Sequence, residues 1–195
     1  MNANTDQFFI DKTLQGDTRA FGVLVERHQE MIFTMVLRML KVREEAEEVA
    51  QDTFIKAFES LSNFRGESKF SSWLYRIAYR KALDRIRANK RQRTSQLIEA
   101  ITETEIASIE DGLQYMEQKE RTAIIRECIL QLPETEAAVV TLYYFESQSV
   151  KEIAAITELS TDNVKIKLYR SRKKLFSLLK GYVQPEITRT NGKAI

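Results

Sequence analysis

A chain of 195 residues, 43% apolar and 30% charged, can bury one large core or two small ones, and its net charge of +2 does not by itself mark a polyanion-binding protein. A single cysteine, Cys128, excludes an intramolecular disulfide framework, and a single histidine, His28, excludes a zinc cluster or a histidine-centred catalytic set. No apolar run approaches the ~18 residues of a membrane-spanning helix and no signal peptide opens the chain, so the expectation is a soluble, cytoplasmic protein without metal or cofactor.

Apolar residues recur at helical spacing almost throughout, Gly and Pro are few, and strand-type alternation is missing, which predicts an all-α fold. Asp6 to Leu14 is a short helix broken at Gly16. Asp17 or Thr18 caps the next, whose apolar face is Phe21, Leu24, Val25, His28, Ile32, Met35, Val36 and Met39. Glu44 to Leu61 forms a third helix with a buried stripe of Ala46, Val49, Ala50, Phe54, Ala57, Phe58 and Leu61. Glu48, Gln51, Asp52 and Ile55 fall on a second face, either plain surface or a docking face.

Asn63 to Ser72 is expected as a loop with Gly66 at its tip, after which Ser71 or Ser72 caps a helix through Trp73, Leu74, Ile77, Ala78, Leu83 and Ile86. Phe70 and Trp73 are expected in the core rather than as walls of a binding pocket with Phe64. The pattern lapses over an acidic linker, 94–117. A second unit follows, with a helix carrying Ile124, Ile125, Cys128 and Leu132 that stops at Pro133. Glu134 to Phe145, Val150 to Ile156 and Thr161 to Leu179 are the remaining helices, closed by Gly181, with a tail from Tyr182. The expected division is therefore 1–93, linker 94–117, 118–181 and tail 182–195.

The charge is sorted along this plan. Arg76 to Arg93 holds eight bases against Asp84, Thr94 to Gln118 holds six acids and no base, and Thr161 to Lys180 holds seven bases against Asp162. One such run is ordinarily a solvated helix face. Two basic runs separated by an acidic one point to two phosphate-binding surfaces. The second lies in a helix-turn-helix layout from Val150 to Leu175, where Ile153, Ala154, Leu159, Val164 and Leu168 can bury a shared core. Val164, Leu168, Leu175 and Leu179 then point inward, and Lys165, Ile166, Tyr169, Arg172 and Lys173 point outward, where long cations suit a major groove.

Linked motifs sharpen the reading. The run Glu44-Glu45-Ala46-Glu47-Glu48-Val49-Ala50-Gln51-Asp52-Thr53-Phe54 is followed by Phe64-Arg65-Gly66-Glu67-Ser68-Lys69-Phe70 and Trp73-Leu74-Tyr75-Arg76-Ile77-Ala78. Later come Leu132-Pro133-Glu134, Glu152-Ile153-Ala154 and Asn163-Val164-Lys165. In this order and spacing, from about Phe21 to Leu179, the chain resembles the extracytoplasmic-function (ECF) subfamily of sigma-70 family RNA polymerase sigma factors.

The resemblance implies a non-enzymatic subunit that binds core RNA polymerase and reads promoter DNA through two small helical domains. Glu48, Gln51 and Asp52 match the positions that dock on the polymerase clamp helices. Asn63, Phe64, Arg65, Gly66, Ser68 and Lys69 match the loop that captures a minus-ten base, and Arg76, Arg80, Arg87 and Lys90 match the helix lying along that element. Thr161, Lys165, Ile166, Tyr169, Arg172 and Lys173 match the reader of the minus-thirty-five element. The acidic linker matches the segment that threads the RNA channel. An anti-sigma protein is the implied regulator, since the chain carries no extra domain, and no small-molecule substrate is implied. Three positions depart from the family pattern. Arg80 stands where Asn is frequent, Ala137 replaces a frequent Arg, and Glu158 replaces a frequent Gly in the helix-turn-helix turn, which is expected to alter that turn slightly. A stand-alone helix-turn-helix regulator is the competing reading, but it leaves the docking helix, the loop and the first basic helix unexplained.

Overall fold

The computed structural model describes residues 5–90 and 118–183, and every regular element among them is helical. The linker expected over 94–117 lies outside the described residues, as does the tail expected over 182–195 from 184 onward, while 182 and 183 belong to the last helix. Helix α1 (Asp6–Leu14) is capped by Thr5, whose side chain accepts from the Phe8 N–H, and it ends at Gly16. Gly16 has φ +101°, a conformation that reverses the chain into α2 (Thr18–Leu40) and suits Gly best. Asp17 is the cap of α2, accepting from the Arg19 N–H at 3.1 Å.

Helix α3 (Arg43–Glu59) ends earlier than its apolar stripe predicts, in a 3-10 turn at Leu61–Asn63. That turn puts Leu61 in the core at 2% exposure, whereas Phe58, expected inside, is 43% exposed and rests edge-on against Phe21. Helix α4 (Phe70–Lys90) begins before the serines expected to cap it. Ser71 and Ser72 are inside the helix, and the buried Ser72 hydroxyl donates instead to Gln148 Oε1 at 3.1 Å. Phe70 and Trp73 are core residues, as their aromatic character predicts.

In the second half, α5 (Gln118–Leu130) and α6 (Glu134–Val140) are separated at Pro133. The single helix expected over Glu134–Phe145 instead widens after Val140 into a π-type turn, Thr141–Phe145, in which the Glu146 N–H reaches back to the Thr141 carbonyl. The Thr141 hydroxyl at the start of this turn donates to the Ala137 carbonyl at 2.7 Å. Helices α7 (Val150–Thr157) and α8 (Thr161–Val183) follow, the latter running through Gly181 rather than closing before it.

The halves share a core. Helix α2 packs on α3 and α4 within the first half and on α6 of the second, and α4 packs on α7. Leu24, Ile32, Met35, Leu74 and Ala78 join Val139, Leu142, Ile153 and Ile156 in one apolar cluster, while Ile129, Leu132, Ala137 and Val140 form a smaller one with Ile125 and Leu175. Cys128 is buried, as its apolar neighbours predict. Buried polar contacts stitch the halves as well. Arg38, 7% exposed, donates to Thr141 Oγ1 at 3.0 Å and lies 4.1 Å from the Phe145 ring centroid. Burial, then repulsion from Arg126, lowers the Arg38 pKa from the usual arginine value. Lys41 donates to the Leu132 carbonyl at 2.9 Å.

Glu158, standing where the family often has glycine, takes the left-handed conformation, φ 60° and ψ 23°, at the end of α7. Its side chain pairs with Arg80, an exposed contact that offsets little of the backbone strain. Glu158→Gly is therefore expected to raise the melting temperature by about 2–4 °C. A lowered melting temperature in a thermal scan would show that the Arg80 pair outweighs the strain.

Candidate polymerase and nucleic-acid interfaces

Three surfaces collect the residues singled out by the sequence. The first is the outer face of α3, where Glu48, Gln51, Asp52 and Ile55 all stand exposed, Ile55 at 59%. The periodicity that buries Ala46, Val49, Ala50 and Ala57 turns these four outward together. A ladder of polar pairs along α4 holds one edge of the face. Glu48 meets Arg85 at 2.9 Å, Asp52 meets Lys81 at 3.3 Å, and the Glu45 carboxylate accepts two contacts from Asn89 Nδ2, at 2.9 and 3.1 Å. The pairs run in opposite directions along the two helices, so α3 and α4 are antiparallel and the carboxylates are presented in a fixed row.

The second surface joins the 63–69 loop to one side of α4. Phe64, Phe70 and Trp73 interlock beneath the loop, with ring centroids 5.4–5.6 Å apart, and pin both of its ends. Arg65, Gly66, Glu67, Ser68 and Lys69 project as an exposed tip, with Gly66 at φ +72° making the bend. Asn63 is exposed at the base and Phe64 is half-buried. Arg76, Arg80 and Arg87 follow on one side of α4 at helical spacing, with Lys90 beside them near its end. Arg80, Arg87 and Lys90 are exposed and Arg76 is partly buried; Arg87 pairs with Asp84 at 3.1 Å.

The same side of α4 carries residues that periodicity alone assigned no role. Tyr75 and Tyr79 are 1% and 3% exposed, next to Ser72 and beneath the second half of the chain. Burial foremost, and the nearby Glu146 carboxylate, push the Tyr75 hydroxyl far above its ordinary ionisation range, and burial raises Tyr79 likewise. Tyrosines one turn apart look like an ordinary core stripe in the sequence. Only the tertiary structure shows that what covers them is the other half of the chain.

The third surface is the outer face of α8. Ser149 and Glu152 form a reciprocal capping box at the start of α7, with contacts of 3.2 and 2.8 Å. Ser160 accepts from the Asn163 N–H at 3.2 Å at the start of α8. Ile153, Val164 and Leu168 are buried in one cluster between the two helices, and Ser171 further along α8 is buried as well. Thr161, Lys165, Ile166, Tyr169 and Arg172 are left exposed together, with Lys173 partly buried beside them; Ile166 is 47% and Tyr169 50% exposed. Lys173 Nζ lies 5.0 Å from the Tyr169 ring centroid. Arg172 Nε donates to the hydroxyl of Tyr144, a half-exposed residue of the π-type turn that the sequence reading passed over. All six α8 candidates thus share one surface, and Tyr144 extends it.

Among the described residues no cluster of three or more His, Cys, Asp or Glu is placed to hold a metal ion, and no helix is long and apolar enough to cross a membrane. The geometry is that of a protein presenting one acidic and two basic faces from a helical frame.

Known proteins give that geometry a family. Residues 24–92 match the sigma-70 region 2 family model and residues 122–175 match the sigma-70 region 4 model. The RNA polymerase sigma-H factor of Pseudomonas aeruginosa is 34% identical over 174 residues, covering 86% of this chain and 90% of that protein. The ECF RNA polymerase sigma-E factor of Escherichia coli K12 is 32% identical over 191 residues, covering 95% of this chain and 97% of that protein. The sigma factor RpoE of Bartonella quintana, solved in complex with the anti-sigma factor NepR, has the same fold, with a TM-score of 0.64 at 19% identity over 84% of this chain and 98% of that one. The chain belongs to the ECF subfamily of the sigma-70 family of RNA polymerase sigma factors. It is a sigma factor, a protein that binds core RNA polymerase and directs promoter recognition and transcription initiation.

Proposed function

We propose that the three surfaces divide the work of initiation. The α3 face carrying Glu48, Gln51 and Asp52 docks on core polymerase. The 63–69 loop, with Arg76, Arg80, Arg87 and Lys90, takes the minus-ten element, and α8 reads the minus-thirty-five element through Thr161, Lys165, Ile166, Tyr169, Arg172 and Lys173. The functional division is 1–93 for polymerase and minus-ten binding, 94–117 as linker, 118–181 for minus-thirty-five binding, and 182–195 as tail. The observation that carries this reading is the α8 face, where an apolar residue, an aromatic ring and several cations stand exposed on one helix whose other side is core. Such a mixture suits base edges and phosphates, and a merely solvated face would not present Ile166 and Tyr169.

The chain acts as a cytoplasmic binding subunit and not as an enzyme. Its partners are core polymerase, promoter DNA and an anti-sigma protein, with the NepR complex of the Bartonella quintana relative supporting the last. The stand-alone regulator is disfavoured because the first half also belongs to the family.

Core binding should depend on the α3 face. Gln51→Ala with Asp52→Ala is expected to weaken co-purification with core polymerase at least tenfold, while helical content and melting temperature stay near wild type. The Asp52–Lys81 pair is exposed and contributes little to folding. Undiminished co-purification of the folded double variant would remove α3 from the docking surface.

A further inference from the structure

The outer face of α8 is joined by a residue from outside that helix. Tyr144 stands in the π-type turn Thr141–Phe145, between two aromatic neighbours that are engaged elsewhere. Tyr143 packs against the core, and the Phe145 ring centroid lies 4.1 Å from the Arg38 guanidinium carbon. Tyr144 meets Tyr143 edge-on, with ring centroids 5.0 Å apart, and its hydroxyl reaches α8. There it accepts from Arg172 Nε, 28 positions away in sequence, and the guanidinium carbon lies 5.8 Å from the Tyr144 ring centroid. The contact is solvent-exposed, so it contributes little to folding.

Two details of this contact point beyond folding. The first is charge. Lys165, on the same outer face, is paired with the Asp162 carboxylate at 3.2 Å, which a phosphate must displace. Arg172 is held by a hydroxyl, which orders the side chain and leaves its positive charge uncancelled. The second is the nitrogen used. With Nε turned to Tyr144, the two terminal nitrogens of the guanidinium remain as a fork, and parallel N–H donors fit two oxygens of one phosphate. Arg172 is exposed and lies about three turns into α8, where a recognition helix has left the base edges. A backbone phosphate is therefore the group within its reach.

We propose that Tyr144 is a positioning residue for promoter binding, holding Arg172 so that the end of its guanidinium grips one backbone phosphate at the minus-thirty-five element. The proposal rests on the assignment of α8 to that element. An arginine free to rotate loses side-chain entropy when it takes a phosphate. One already tied at Nε loses less, so the hydroxyl strengthens binding without touching DNA itself. It does so for every sequence alike, because a phosphate carries no base identity.

The test uses the holoenzyme and a duplex promoter that it transcribes. Tyr144→Phe keeps the ring and removes only the hydroxyl. It should lower affinity about fivefold for all sequences, with upstream base preference and melting temperature unchanged. Arg172→Ala should lower affinity about tenfold or more. In that background Tyr144→Phe should cost nothing further, because no guanidinium is left to position. Uncharged methylphosphonate, placed at one backbone position at a time, locates the phosphate: at a single position the penalties of both variants should vanish. Wild-type affinity of Tyr144→Phe would overturn the proposal. So would a loss that persists in the Arg172→Ala background or at every methylphosphonate position, since the hydroxyl would then act on structure. Lys165→Ala separates this failure from that of the underlying reading. If Lys165→Ala and Arg172→Ala both bind as wild type, α8 does not meet the promoter and the proposal falls with it. If they lose affinity and Tyr144→Phe does not, α8 reads the element and only the role given to Tyr144 is wrong.

Discussion

Replacing Arg65, Glu67, Ser68 and Lys69 by alanine, with Gly66 kept, is expected to stop open-complex formation on duplex promoters while core binding and upstream duplex binding persist. The loop is suited to separate these effects. Its ends are fixed by the interlocked Phe64, Phe70 and Trp73, and its tip is exposed, so the change removes functional groups without removing packing. Gly66 is retained because its φ of +72° strains other residues. Taking a base out of the duplex stack costs a few kcal/mol unless a site receives it. Losing ~2.7 kcal/mol of that compensation corresponds to about 100-fold in opening. A template already unpaired at minus ten should restore most of the activity, because the protein no longer meets the unstacking cost, although base selectivity there should stay poor. Run-off transcription on duplex and bubble templates decides it. Equal loss on both would assign the loop to folding or core docking, and no loss on duplex would remove it from melting altogether.

The second large effect belongs to α8. Lys165→Ala is expected to cost about 1–3 kcal/mol at one position of the minus-thirty-five element and to relax preference there. Lys165 projects near the helix start with 66% of its side chain exposed, and its only described ion pair, to Asp162 at 3.2 Å, is an exposed one that DNA can displace. Lys173 lies two turns further along, beside the Tyr169 ring, where a recognition helix has moved away from the base edges. Lys173→Ala should therefore weaken binding to all sequences about equally and reduce the salt dependence by close to one phosphate contact. Selection from a randomised promoter pool distinguishes the two. An unchanged upstream logo for Lys165→Ala would make it a phosphate contact or no contact at all.

The sequence disclosed local features and kept distant ones hidden. Helix positions and the outward set on α8 follow from spacing within a few residues, which a single chain displays directly. The π-type turn at Thr141 did not follow, because the apolar spacing continues through it and the same threonine back-bond occurs at Thr53 inside the regular α3. Glu158 was legible in part: a residue other than glycine in this turn signals left-handed strain, and the structure gives Glu158 a φ of 60°. Least legible was the contact between the halves. Arg38 and Thr141 are 103 positions apart and Ser72 and Gln148 are 76 apart, and no periodic pattern links a polar residue to so remote a partner. For the same reason the sequence assigned no role to Tyr75, Tyr79 or Tyr144.

The measurement that bears most directly on the whole account is transcription by core RNA polymerase with and without this chain, on a fragmented genomic template, with every start mapped. The account predicts a discrete set of starts that depends on the chain and shares two sequence elements, one near minus ten and one near minus thirty-five. The Gln51→Ala, Asp52→Ala variant should lose the whole set, and Lys165→Ala should alter only the upstream element. Starts identical to those of core polymerase alone would contradict it.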